Sequence, residues 1–140
     1  MEIIAIDFGT ERTSFSFKLK GHEHPIIRKS WGEYSNYKNE SLLIYEKGSE
    51  HELKKWGFEA ISFMKKEKEQ NYVIFQNFKM MMYQKSNGQR SFTRRLIVDY
   101  FKLMKNEIIK SVIEMRTRIT DETKYVLAVK KKKKNLFPFI

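Results

Sequence analysis

The first twenty residues show the pattern of two short strands. A mostly apolar run over residues 2–6 leads into a turn at residues 7–10, and residues 13–19 then alternate, with Phe15 and Phe17 on one side. Alternation with a period of two indicates a half-buried strand. Because only a tight, glycine-containing turn separates the two strands, we expect them to pair as a hairpin.

The middle of the chain gives strand and turn signals before a helical spacing begins. The predicted elements are a loop over residues 21–40 with one short strand near Ile26, strands over residues 42–45 and 53–56, and a helix from Phe58. Residues 72–83 are rich in aromatic residues and methionine and have no clean period. Core packing or an adaptable partner surface would explain Phe78 and Met80–Met82, and core packing is the preferred interpretation.

The clearest periodicity predicts a long helix. Apolar residues recur at steps of three or four, namely Ile97, Phe101, Met104, Ile108, Val112, Met115 and Ile119. This stripe predicts a helix of roughly 25 residues that packs on a core and ends at Thr120 and Asp121. The continuous apolar run over residues 125–129 then predicts a strand buried on both faces.

Composition and charge narrow the class of protein. A length of 140 residues is typical of one domain, and the absence of cysteine excludes disulfides and thiolate metal sites. The chain has no secretory signal pattern and no apolar stretch near the ~20 residues that cross a bilayer, so we expect a cytoplasmic protein without a membrane partner. Residues 71–140 hold 16 basic and five acidic side chains, and thus the entire net charge of +11.

The turn over residues 7–10 is the most informative segment chemically. Gly9 lets the backbone turn sharply and approach a ligand closely, and successive backbone N–H groups in such a turn suit phosphate oxygens. The Thr10 hydroxyl adds a donor, and Asp7 can hold a Mg²⁺ ion through bound waters. Taken alone, however, Asp-Phe-Gly-Thr fits an ordinary hairpin turn better than a phosphate site.

The surroundings of this turn resemble a known family. Ile-Ile-Ala-Ile-Asp-Phe-Gly-Thr at residues 3–10, followed by an aromatic-rich strand, resembles the first phosphate loop of the actin-like ATPase superfamily, and most closely that of divergent members of the heat shock protein 70 family. Later segments keep the family's order. Those segments are residues 42–45 and 56–60, similar to its third strand and following helix, residues 75–80, similar to its next segment, and the long helix with residues 125–129.

This resemblance implies an α/β fold: an incomplete ribonuclease-H-like lobe with an antiparallel hairpin sheet, a long helix and one parallel strand. Residues 1–129 would be a partial actin-like ATPase nucleotide-binding domain, and the chain an ATP-binding segment of a chaperone ATPase with unfolded clients or co-chaperones as partners. ATP and Mg²⁺ would lie between two lobes of the intact domain. The residues that the resemblance assigns are Asp7 near the metal, Gly9 and Thr10 on the phosphates, and the backbone at Glu11 and Arg12 completing the loop.

Departures from the family argue against an active enzyme. Glu11 stands where the family has a second threonine, and an unrelieved like-charge pair at ~4 Å costs about 4 kcal/mol at an effective dielectric constant of ~20 unless Glu11 points away or pairs with Arg12. Ile61 holds the place of a lysine that assists hydrolysis. The second phosphate loop, the second metal-facing aspartate and the adenosine pocket would lie beyond the end of the chain. We therefore expect a truncated N-terminal fragment that binds ATP weakly or not at all.

The carboxyl-terminal segment departs as well. Lys130 follows the last strand where the family has a proline, and residues 130–140 look like a shifted reading frame or a truncated gene. We expect this basic tail to be disordered or aberrant. Lys130–Lys134 would attract a nucleic-acid backbone, but without interleaved stacking aromatics a solvated tail is preferred.

Two other functions stay open at this point. A non-catalytic basic interaction module would use the second half of the chain to bind RNA or an acidic partner, whereas a degenerate remnant would have no activity. His22-Glu23-His24 has metal-binding residue types, but no third and fourth ligand is in view, so a solvated turn is preferred.

Overall fold

The computed structural model describes residues 3–28, 30–31, 33–66, 69–83, 87–115 and 119–128, and the predicted basic tail lies outside them. The chain has an α/β fold. Its strands are β1 (Ile3–Phe8), β2 (Arg12–Lys18), β3 (Ile26–Ile27), β4 (Asn39–Glu40), β5 (Leu42–Glu46), β6 (Ser49–Trp56), β7 (Tyr72–Gln76) and β8 (Lys124–Ala128). Its helices are α1 (Gly57–Lys66), α2 (Phe78–Met81) and α3 (Asn87–Glu114), with a 3₁₀ turn over Glu69–Asn71.

The first sheet is built around the predicted hairpin. β1 and β2 are antiparallel, with Ile3 opposite Lys18 and Phe8 opposite Thr13. β3 and β4 pair with the other side of β2, and β8 pairs with β1 in parallel. The order β3-β2-β1-β8 confirms both the hairpin and the parallel strand that follows the long helix.

The second sheet corrects the expectation for residues 42–45. The similarity of residues 42–45 to the family's third strand implies a place in the sheet of the hairpin, but β5 lies instead at the centre of a separate antiparallel sheet, between β6 and β7. The reason is that β5 is apolar on both faces. Leu43 and Tyr45 belong to the main core, whereas Leu42 and Ile44 pack with Ala60 of α1 in a second cluster. Such a strand needs cover on both sides.

Helix α3 supplies one wall of the main core. Its buried apolar residues recur every four positions, namely Leu96, Tyr100, Met104, Ile108 and Val112. Three of these belong to the predicted stripe, while Ile97 and Phe101 are only partly buried. Burial of each large apolar side chain contributes roughly 1.5–3 kcal/mol to folding. The helix ends at Glu114, before the predicted end at Thr120 and Asp121.

β8 is not the doubly buried strand that its apolar sequence predicted. Tyr125, Val126 and Leu127 are 54%, 51% and 51% exposed, and β8 lies at the edge of the sheet with β1 as its partner in the described part of the chain. An apolar run shows that the strand can be buried, but another element has to pack against it before its side chains are shielded from water. The described residues provide none on the outer edge of β8.

This exposed edge predicts association between copies of the chain. Antiparallel pairing of two β8 strands about Val126 sets Tyr125 opposite Leu127 of the other copy, and an edge lysine opposes such pairing. We expect Val126→Lys to weaken self-association about tenfold or more in sedimentation velocity over a concentration series. Ile113→Lys, which adds the same charge at an exposed position of α3, is the matched control. Equal effects of the two variants would contradict the assignment to β8.

No helix in the described ranges combines the length and the apolar character that a bilayer crossing requires. The long helix α3 is amphipathic, because its buried stripe alternates with exposed lysines.

Candidate functional site

The candidate site begins at the turn that joins β1 and β2. A Cβ atom at Gly9 would lie 2.1 Å from the carbonyl oxygen of Arg12, so only glycine fits. The requirement comes from this close approach of two backbone segments. Thr10 lies in the bend and is half-buried, and Glu11 is exposed. The turn is therefore as tight as the sequence predicted.

Ser41 stabilises the turn through two hydrogen bonds. Its backbone N–H donates to the carbonyl of Glu11 at 2.7 Å, and its hydroxyl donates to the carbonyl of Gly9 at 3.3 Å. The same hydroxyl lies 3.1 Å from the Thr13 hydroxyl, and both residues are buried. Two carbonyl oxygens that would repel an anion are thus engaged by Ser41.

Asn39 fixes the segment that carries Ser41. Its side-chain oxygen accepts the backbone N–H groups of Phe58 at 2.8 Å and Glu40 at 3.0 Å, which ties β4 to the first turn of α1. Tyr100 of α3 donates to the carbonyl of Glu40 at 3.1 Å. Burial raises the pKa of Tyr100 to about 12, so this phenol stays protonated as a donor. The support of the turn therefore reaches into the main core.

Asp7 stands at the end of β1, as predicted, but it already has a partner. Its Oδ2 atom lies 3.0 Å from Nζ of Lys38, and both side chains are 48% exposed. Lys38 belongs to the connection between β3 and β4, 31 residues along the chain. Sequence reasoning did not identify Lys38, because nothing in its local pattern points to Asp7.

Lys79 is the second cation at the turn. It is 4% exposed, donates from Nζ to the backbone carbonyl of Phe8, and places Nζ 5.2 Å from the centre of the Phe8 ring. Burial lowers the pKa of Lys79 below its ordinary value, and the negative charge of Asp7 opposes that shift. A buried ammonium group next to the end of β1 is thus a feature of this site.

Lys79 is a buried lysine that the sequence analysis did not assign to the site. The resemblance puts the assisting lysine at the position of Ile61, which packs half-buried in the cluster around Ala60. A signal for Lys79 was present, since it is the one charged residue in the apolar stretch 78–82. A charge within a core-forming segment needs a polar partner in the interior.

The position of Lys79 depends on a left-handed residue and a buried aromatic ring. Asn77 has φ of 55°, a conformation that asparagine tolerates better than most residues, and it redirects the chain into α2. Phe78 is fully buried, 5.4 Å from Tyr100 and 6.3 Å from Phe8 between ring centres. Core packing is therefore confirmed for Phe78, whereas Met82 is exposed.

Glu11 and Arg12 lie on the other side of the turn. Arg12 does not neutralise the negative charge of Glu11, because the Nε atom of Arg12 pairs with Oε1 of Glu40 at 2.8 Å. A surface cleft of about 330 Å³ starts here. Its lining is formed by Glu11, Arg12, Glu40, Ser41, Leu42, Ile61, Met64, Gln76 and Asn77. The volume lies within the range of small-ligand sites.

The residues at the turn do not fit a resident Mg²⁺ ion. Within the described ranges no three His, Cys, Asp or Glu side chains group together, and the one carboxylate at the end of β1 is paired with Lys38. Magnesium is usually held by one or two carboxylates, with waters and phosphate oxygens completing its octahedral shell, and the carboxylate at the end of β1 is already paired. The metal beside Asp7 thus stays a prediction from the resemblance, and the geometry argues against it. His22, Glu23 and His24 are exposed in a loop, as expected of a solvated turn.

The structure brings Asp7, Lys38 and Lys79 together around the end of β1 and sets Glu11 and Arg12 at the mouth of the adjacent cleft. Comparison with known proteins gives no family for this arrangement: the chain matches no family model, no curated protein and no solved structure with significant similarity.

Proposed function

We propose that the chain is an ATP-binding segment of a chaperone ATPase of the heat shock protein 70 type, with a ribonuclease-H-like lobe. The connectivity supports this fold assignment, because an antiparallel hairpin is followed by further strands on the β2 side and by a helix that leads to a strand parallel to β1. The observation that carries the function is the glycine turn with a buried lysine, Lys79, at its base.

Phosphate is the chemical group that this turn suits best. Backbone N–H groups of a tight turn and the Thr10 hydroxyl are donors, and the carbonyls of Gly9 and Glu11 are engaged by Ser41. Lys79 adds a positive charge that burial keeps poorly hydrated, which strengthens its attraction to an anion. The nucleoside would then extend into the cleft beside Glu11 and Arg12.

Catalytic activity is a separate matter from binding. Glu11 brings a negative charge to the cleft beside the phosphate turn. We therefore propose that the 140-residue chain binds ATP with a dissociation constant of ~1 mM and does not hydrolyse it. This dissociation constant corresponds to a binding free energy of about 4 kcal/mol. Unfolded clients and co-chaperones are the partners that an intact ATPase of this type would serve.

The alternative of an RNA-binding module gains no support from the described part of the chain. Two of the three lysines of α3 are paired with neighbours, Lys102 with Asp99 at 3.7 Å and Lys110 with Glu107 at 2.7 Å, while Lys105 is exposed. Lys130–Lys134 lie outside the described residues. Binding of RNA or an acidic partner stays an untested prediction.

A titration with ATP followed by ¹⁵N-resolved NMR tests the proposal. We expect saturable shifts of the backbone amides of residues 9–12 and 78–79, because these flank the phosphate position. Adenosine, which lacks phosphate, serves as the control and should leave residues 9–12 unmoved. Shifts confined to other regions, or none up to ~10 mM ATP, would overturn the proposed function.

A further inference from the structure

The ion pair between Asp7 and Lys38 occupies the position that a metal ion would need. The carboxylate that the resemblance assigns to Mg²⁺ already has an ammonium nitrogen 3.0 Å from Oδ2. Lys79 lies beside this pair, because its Nζ atom donates to the backbone carbonyl of Phe8, the residue after Asp7. A divalent cation arriving at Asp7 would therefore meet two ammonium groups and a single carboxylate, which is an unfavourable balance.

The charges around the turn make a metal unnecessary for binding an anion. The Arg12–Glu40 pair is neutral as a unit. Of the remaining charges, Lys38 and Lys79 balance Asp7 and Glu11, so the turn has no net negative charge that a metal ion would have to neutralise. An ammonium group has three donors, so Lys38 can keep one bond to Asp7 and offer the others to phosphate oxygens.

We propose that Lys38 takes the place of the divalent metal ion at this site, so that the chain binds the phosphate groups of nucleotides without Mg²⁺. This inference rests on the proposed function, since it concerns the same turn. Lys38 suits the role because its side chain is half exposed and its loop lies beside the turn. Asp7 then acts as the residue that holds Lys38 in position.

The dependence of phosphate binding on Mg²⁺ tests directly whether Lys38 takes the place of the metal ion. Binding of ATP and of inorganic tripolyphosphate to the full chain is measured by NMR titration in excess Mg²⁺ and in EDTA. We expect binding in EDTA to be as tight as in Mg²⁺ or tighter. Binding at residues 9–12 that requires Mg²⁺ would overturn the inference and leave the proposed function standing. Absence of binding at the turn in both conditions would overturn both.

Two substitutions separate a lysine site from a metal site. Lys38→Met should weaken tripolyphosphate binding in EDTA about tenfold, whereas Lys55→Met, which removes another half-exposed and ion-paired lysine, should have no effect. Asp7→Asn should tighten binding several-fold, because it removes the negative charge at the end of β1 while the amide oxygen of asparagine can still accept a hydrogen bond from Lys38. If Asp7 instead holds a metal, Asp7→Asn weakens binding in Mg²⁺, which is the opposite sign. Exposed ion pairs contribute little to stability, so these variants should fold.

Discussion

Replacement of Lys79 by methionine is expected to weaken ATP binding about 10- to 100-fold while the midpoint of thermal unfolding does not fall. A charge-assisted hydrogen bond to phosphate contributes about 1.5–3 kcal/mol, which corresponds to that loss. Stability should hold because Lys79 is buried and its charge is poorly solvated. Replacing buried charged groups by apolar ones of similar volume is often neutral or stabilising.

NMR titration and thermal unfolding followed by circular dichroism measure the two effects separately. Lys20→Met is the control, since Lys20 is exposed at the opposite end of β2 from the turn. We expect it to leave both quantities unchanged. A Lys79→Met variant that is strongly destabilised would show that the ammonium group has a structural role instead.

The lowered pKa of Lys79 adds a dependence on pH. The folded chain releases this proton at a lower pH than the unfolded chain does, so between the two pKa values the unfolded state binds more protons. Stability therefore rises with pH across that window, which lies below 10.5. Over the same window ATP affinity falls, because Lys79 loses its charge. Both trends should be absent from Lys79→Met.

Replacement of Gly9 by alanine is expected to lower the free energy of unfolding by about 2–3 kcal/mol and to abolish measurable ATP binding. The new Cβ atom would lie 2.1 Å from the carbonyl oxygen of Arg12, and a backbone atom cannot move aside as a flexible side chain can. The turn would have to open. Opening would also break the contacts that Ser41 makes with Gly9 and Glu11.

Urea unfolding, followed by the fluorescence of Trp31 and Trp56, gives the stability change. Gly21→Ala is the matched control, because Gly21 has φ of 80° but open space around its Cα atom. Its backbone preference alone should cost about 1 kcal/mol. If Gly9→Ala costs no more than Gly21→Ala, the close approach at the turn is not what requires glycine.

Local periodicity was sufficient for much of the fold. The hairpin around Gly9, the helix α3 and the strand after it follow from the spacing of apolar residues, and the structure contains all three. These features depend on contacts a few residues apart, or on one face of one element being apolar. Periodicity reports such properties directly.

Other properties depended on which elements meet. The sequence of residues 42–45 indicated a strand but not its sheet, and only the cover supplied by α1 on one face and the main core on the other decided that. Residues 125–127 are as apolar as a buried strand, yet they lie exposed at an edge. A hydrophobic sequence shows that a strand can be buried, but the strand is buried only where another element packs against it.

Some residues of the candidate site could be identified from the sequence, and others only from the tertiary structure. Asp7, Gly9 and the tight turn between two strands follow from the local sequence pattern. Lys38 lies 31 positions along the chain from its partner Asp7, and Lys79 lies 71 positions from its partner Phe8, so packing between distant segments brings both lysines to the turn. The physical reason is that a turn's shape is set by the conformational freedom of its own residues, while its charge is set by whichever side chains the packed core brings beside it.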